Sequence, residues 1–121
     1  PRAIELSTGA ALGVSVHGQA EPGRSVCVGG SNSAAAGLTA LRLKAAGFSA
    51  ETPCSRLPGV SPKNLVNRAS EGGVQLEITL PLLKRLESSP SDLSKFTKAV
   101  RNAVFDYCKT SSQSQDTHEK N

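Results

Sequence analysis

At 121 residues with a formal net charge of +4, the chain is long enough to bury one ordinary core but not two. It has one Tyr, three Phe and no Trp, so that core must be built largely from Leu, Val and Ala. No stretch approaches the roughly 20 apolar residues of a membrane span, and the charge is spread evenly, which leaves nucleic-acid binding without a basic stripe and suits an anionic substrate equally well.

Residues 2–8 mix alternating and charged character and read as the end of a helix or a connecting segment. Ala10 to Val16 is small and apolar and predicts a buried strand that delivers His17 at its end. Gly18-Gln-Ala-Glu-Pro-Gly23 is turn-rich. Ser25 to Val28 is a second short strand, stopped by Gly29-Gly30. Residues 31–33 offer an N-cap for a helix over about 34–46, with Leu38, Leu41, Leu43 and Ala45 as its apolar stripe. Gly47 suits the left-handed residue that closes that helix, with Phe48 folding back on the last turn.

The segment Phe48-Ser-Ala50 is the next strand candidate, and 51–63 is loop by its Pro and Gly content. Residues 64–68 fit either one helical turn or an extended link. Val74 to Ile78 is the clearest strand: Val74, Leu76 and Ile78 fall on one face, and Gln75 and Glu77 on the other. The strongest helix covers about 92–109, with Leu93, Phe96, Val100, Ala103/Val104 and Tyr107 at three- and four-residue steps. Residues 110–121 offer nothing to bury and predict a disordered tail, so the domain is expected over 1–109.

The three cysteines are odd in number and hold no C-x-x-C pair, so neither a zinc ribbon nor a redox motif is indicated. Cys27 and Cys108 fall at apolar positions and read as small core residues, whereas Cys54, beside a loop proline, reads as exposed. Gly29-Gly30 reads as a tight turn, since its spacing fits no phosphate-binding fingerprint. His118 has no predicted fold around it and reads as inert.

Three polar features adjoin predicted strand ends. His17 follows an apolar run and is either a hydrogen-bonded structural histidine or a ligand. In Asn64-x-x-Asn67-Arg68, the arginine fork suits a carboxylate, while the asparagines could equally fix local backbone. Glu77 lies between apolar residues within a strand, where a carboxylate needs a purpose unless its face is solvated.

In chain order, Val14-Ser-Val-His-Gly18, Val26-x-Val-Gly-Gly30, Leu41-x-x-x-x-Ala46-Gly-Phe48, Pro62-x-Asn-x-x-Asn-Arg68 and Gly73-Val-Gln-Leu-Glu-Ile78 resemble the poly-γ-glutamate hydrolase family, whose members are also described as phage-related replication proteins. The resemblance covers roughly residues 3–86. It implies an α/β fold like that of the zinc carboxypeptidases, with a mixed sheet and helices on both sides, here as a partial domain. It also implies zinc-dependent cleavage of γ-glutamyl amide bonds in an anionic polymer.

Carried over position by position, His17 matches the family's later zinc histidine. Glu77 matches a strand-borne general base, and Arg68, with Asn64 and Asn67, a clamp for a substrate carboxylate. The family's upstream H-G-G-G-I-E-x-G-T-like motif, which holds a His and a Glu ligand, has no counterpart in these residues, and Gln19 stands where members usually carry Cys. The expectation is therefore a C-terminal portion of a hydrolase that binds zinc weakly by itself, with a metal-free carboxylate-binding module as the alternative.

Overall fold

The computed structural model describes residues 11–55, 59 and 65–119. The expectations for residues 2–8 and for Asn64 lie outside them. Four strands form one mixed sheet in the order β1-β4-β2-β3: β1 (Gly13–Gln19), β2 (Ser25–Gly29), β3 (Ser49–Glu51) and β4 (Gly73–Thr79). β1 runs parallel to β4 and β2 parallel to β3, while β2 and β4 are antiparallel. Three helices follow the chain: α1 (Ser33–Ala45), α2 (Leu80–Ser88) and α3 (Pro90–Glu119), with a 3-10 turn over Leu65–Arg68.

The alternation of β4 decides which face is which. Val74, Leu76 and Ile78 are at most 2% exposed and join Val26 and Val28 of β2 in one cluster. The same cluster takes Ala35, Ala36, Ala40 and Leu43 from α1, Leu82 and Leu86 from α2, and Phe96 and Ala99 from α3. All three helices therefore pack on the even-numbered face, and the odd-numbered face is left for polar side chains.

Helix α1 begins and ends where its sequence directs. Asn32 caps it, its side-chain oxygen accepting from the Ala35 amide at 3.0 Å. Gly47 closes it at φ +95°, and the Phe48 amide returns to the Leu43 carbonyl at 2.9 Å, which satisfies carbonyls the helix would otherwise leave bare. Phe48 then meets Phe96 edge to face, with ring centroids 5.4 Å apart. The buried stripe of α1, however, is Ala35, Ala36, Thr39, Ala40 and Leu43, and Leu41 points to solvent at 63% exposure. The small alanines let the helix approach the sheet, so the stripe is rotated from the leucine-based expectation.

Five other expectations are corrected. β1 is an edge strand rather than a buried one: Val14 and Val16 are 41% and 57% exposed, because β4 is its one strand neighbour among the described residues and the helices cover the valines only in part. It also runs through Gln19, so His17 sits within the strand instead of at its end. The last helix extends to Glu119 instead of stopping near Lys109; residues 110–119 contain no Gly or Pro to end it. Cys54 is fully buried and disulfide-bonded to Cys27, while Cys108 is free and exposed. The pairing joins β2 to the loop after β3, a proximity that sequence spacing does not encode.

α1 and α3 are also joined by charge. Arg42 donates to both Asp106 carboxylate oxygens, at 2.6 and 2.9 Å. This hydrogen bond, and after it the opposite charge, holds the Asp106 carboxyl below the usual carboxylate range. A carboxylate depressed in the folded state stabilises the fold above its unfolded pKa, and that contribution is lost as pH falls through the folded value. The pair is exposed and its effect modest. Arg42→Ala should therefore lower the melting temperature slightly at pH 7, and the gap from the parent should close below about pH 4, as thermal melts across pH would record.

No helix among the described residues is long and apolar enough to cross a membrane.

Candidate active site

Strand register assembles the site. In-register neighbours on adjacent strands point to the same side of a sheet, and β4 pairs His17 with Glu77 on one flank and Cys27 with Glu77 on the other. Cys27 in turn pairs with Glu51 of β3. His17, Glu77, Cys27 and Glu51 thus form one row across all four strands, on the face opposite the helices. Neighbouring strands are about 4.8 Å apart, so the imidazole and the Glu77 carboxylate rise side by side from adjacent strands.

His17 is exposed and Glu77 half-buried, so both are open to solvent or a ligand. Glu77 is held through its backbone as well: Gln19, 9% exposed, donates from Nε2 to the Glu77 carbonyl at 3.2 Å. At the far end of the same face the Ser25 amide donates to the Thr79 hydroxyl oxygen at 3.1 Å, which fixes β2 against β4 beside the row. One row towards the strand starts, Ser15 pairs with Gln75. The Ser15 hydroxyl is buried and makes no hydrogen bond among the described residues, a polar atom presented on this face without a partner.

The 3-10 turn covers the near end of the face. Gly13 and Gly73, in register, leave room for the Val66 backbone carbonyl, which a Cβ on either glycine would strike. Arg68 closes that turn, with its side chain exposed and no hydrogen bond or ion pair among the described residues. From Gly13 and Gly73 to His17 and Glu77 is four residues of strand, roughly 13 Å. The turn that carries Arg68 therefore packs at the strand starts, away from the row that holds His17 and Glu77.

Asn67 is engaged in holding backbone. Its Oδ1 accepts from the Ser31 amide at 3.1 Å and from the Ser31 hydroxyl at 2.9 Å, and its Nδ2 donates to the Gly59 carbonyl at 2.5 Å. Ser31 Oγ in turn accepts from the Gly73 amide at 3.1 Å. This chain of bonds locks the turn after β2, the 3-10 turn and the start of β4 together. It is the backbone-fixing role that the sequence left open as one of two for the asparagines.

A catalytic zinc takes about three protein ligands and keeps one position open. Among the described residues His17 has no companions for this: the one grouping of three donors is Cys27, Glu51 and Cys54, which does not include it. The described donors thus offer one imidazole to a zinc at this position and do not by themselves make its site. The juxtaposition of His17 and Glu77 was legible only as two separate candidates, since a pairing across 60 residues leaves no local trace. The neighbouring Cys27–Glu51 end of the row was not expected at all.

Comparison with known proteins gives three findings. A family model described as poly-gamma-glutamate hydrolase matches residues 1–106. The SPbeta prophage-derived UPF0714 protein YoqZ of Bacillus subtilis (strain 168) is 34% identical over 107 residues, covering 86% of this chain and 37% of that protein. Among solved structures, a bacteriophage poly-gamma-glutamate hydrolase superposes with a TM-score of 0.83 at 24% identity, over 91% of this chain and 59% of the other. The zinc-free apo form of YndL superposes at 0.76 with 26% identity, over 88% of this chain and 59% of the other. The chain thus spans well under two thirds of each relative.

Proposed function

The chain belongs to the poly-gamma-glutamate hydrolase family, and we propose that it serves zinc-dependent hydrolysis of γ-glutamyl amide bonds while carrying only part of the active site. The observation that supports this best is the register of β1 and β4, with His17 beside Glu77 on the polar face. In this reading His17 is one zinc ligand, and the remaining ligands come from outside the described residues. The metal, when bound, supplies Lewis acidity and a water that is acidic near neutral pH.

The chain's own residues do the rest. The Glu77 carboxylate takes the proton of the attacking water and hands it to the departing amide nitrogen, a transfer worth about 10²–10⁴-fold. Its half-buried position and the Gln19 bond to its backbone favour a fixed orientation. Arg68 offers its guanidinium fork to a glutamate carboxylate of the anionic polymer. Asn64 remains a candidate for the same role by its place in the sequence. Asn67 contributes by holding the turn that carries Arg68.

Two preparations test this. The 121-residue chain alone should retain little zinc in equilibrium dialysis and release little or no glutamate from poly-γ-glutamate. The chain joined to the portion of the phage hydrolase outside the match should bind one zinc and hydrolyse the polymer. Tight binding by His17 in the chain alone, removed by His17→Ala, would sink the partial-site reading. A folded hybrid that binds polymer without zinc or turnover would instead favour a carboxylate-binding module.

A further inference from the structure

We infer that Cys27, Cys54 and Glu51 form a second metal site, distinct from the His17 position, which takes one thiophilic divalent cation of the zinc class when the disulfide is reduced. The argument stands on the grouping itself and does not depend on the hydrolase reading. The two sulfurs and a Glu51 carboxylate oxygen all lie within 4.8 Å of one another. Ligands around tetrahedral zinc, at about 2.3 Å for sulfur and 2.0–2.2 Å for oxygen, are themselves roughly 3.5 Å apart, so small side-chain rotations would close the set around an ion.

Burial and charge explain why a cation would be held. Cys27 and Cys54 are 1% and 0% exposed, whereas Glu51 is exposed and leaves a route and a water position on its side. Cys27 sits in register between two carboxylates, Glu77 and Glu51, in a row with no Lys or Arg. Its sulfur lies 3.1 Å from Glu51 Oε1, a contact that a disulfide sulfur cannot use as a donor. Two thiolates and a carboxylate gathered there repel one another, and the disulfide, protonation of the thiols or a bound cation each relieves this.

The exchange balances without a hidden partner. Two molecules of a cellular monothiol supply two electrons and two protons, becoming their own disulfide, while the Cys27–Cys54 bond breaks and each sulfur gains a proton. Binding the cation then releases those two protons. Disulfide and metal are thus mutually exclusive occupants of one position, at the β2–β3 end of the row that also holds Glu77.

Cobalt(II) reports thiolate ligation directly, because sulfur-to-cobalt charge transfer absorbs strongly in the near ultraviolet and an imidazole or carboxylate ligand gives no such band. The chain would be titrated anaerobically after phosphine reduction, in a Cys108→Ser background to remove the exposed free thiol. The band should saturate at one equivalent, be displaced by zinc, and be absent from the oxidised chain. Glu51→Gln, at an exposed position outside the core, should weaken binding about tenfold or more, the scale on which ligand support is felt, and Cys54→Ser should remove the two-thiolate band. A reduced chain that stays folded by circular dichroism yet shows no band overturns the inference and leaves the thiols protonated. So does a band that either substitution leaves unchanged.

Discussion

Glu77→Gln in the zinc-loaded hybrid should reduce kcat on poly-γ-glutamate by about 10²–10⁴-fold, the range that a positioned general base supplies. The amide keeps the side chain's shape and can still hydrogen-bond, but it cannot accept the proton of the attacking water. KM should change little if Glu77 acts in the proton transfer alone, because ground-state contacts to polymer carboxylates would then be untouched. Zinc content should also be preserved, since the expected ligand is His17. A loss of metal equal to the loss of rate would instead make Glu77 a ligand or a support for one. Steady-state kinetics with metal analysis on the same samples separates these outcomes. His17→Ala provides the contrast, with rate and metal lost together.

The second large effect concerns the turn after β2. Gly30 has φ +110°, and a Cβ there would strike the carbonyl of Gly73 at the start of β4. That carbonyl already accepts from the Asn32 amide at 3.0 Å, and Asn32 caps α1. Gly30→Ala therefore combines backbone strain with a clash against backbone that cannot rotate away, for a cost on the order of 3–5 kcal/mol. Against total stabilities of about 5–15 kcal/mol, this removes a large share of the fold. The denaturant midpoint should fall steeply with little change in m. Gly47→Ala is the control: its φ is +95° but nothing lies within 4 Å of the added carbon, so strain alone should cost about 1–2 kcal/mol. Equal losses at both positions would mean that the Gly73 contact does not matter.

What the sequence revealed depends on how local the cause is. The alternation of Val74 to Ile78 gave the two faces of the central strand directly, and Asn32, Gly47 and Phe48 marked the ends of α1, because capping is a matter of a few neighbouring residues. Helix α2 went unread. It starts at Leu80 immediately after β4, with Thr79 making no side-chain cap bond, so no turn separates the two patterns. Its Leu82 and Leu86 are nevertheless one helical turn apart and both buried. Neighbour relations set by the whole fold were not legible. The Cys27–Cys54 bond, the exposure of Val14 and Val16 and the engagement of Asn67 with Ser31 all depend on which distant segments meet. The site itself was half visible: its residue types stood out one by one, but the row that unites His17 and Glu77 exists only through pairing.

The edge position of β1 bears on when and how firmly that row exists. Among the described residues its only strand partner is β4, 60 positions later, so forming the pair means closing a long loop, which is entropically slow. Its valines recover little of that cost, being open to water on their apolar side. An edge strand with few buried contacts belongs to the part of a protein that opens first and most often. The imidazole of His17 therefore rides on an edge strand with exposed valines, while Glu77 is set in a central, mostly buried one. Whatever covers the β1 edge would, by suppressing that fraying, govern how much of the time the two groups stand together.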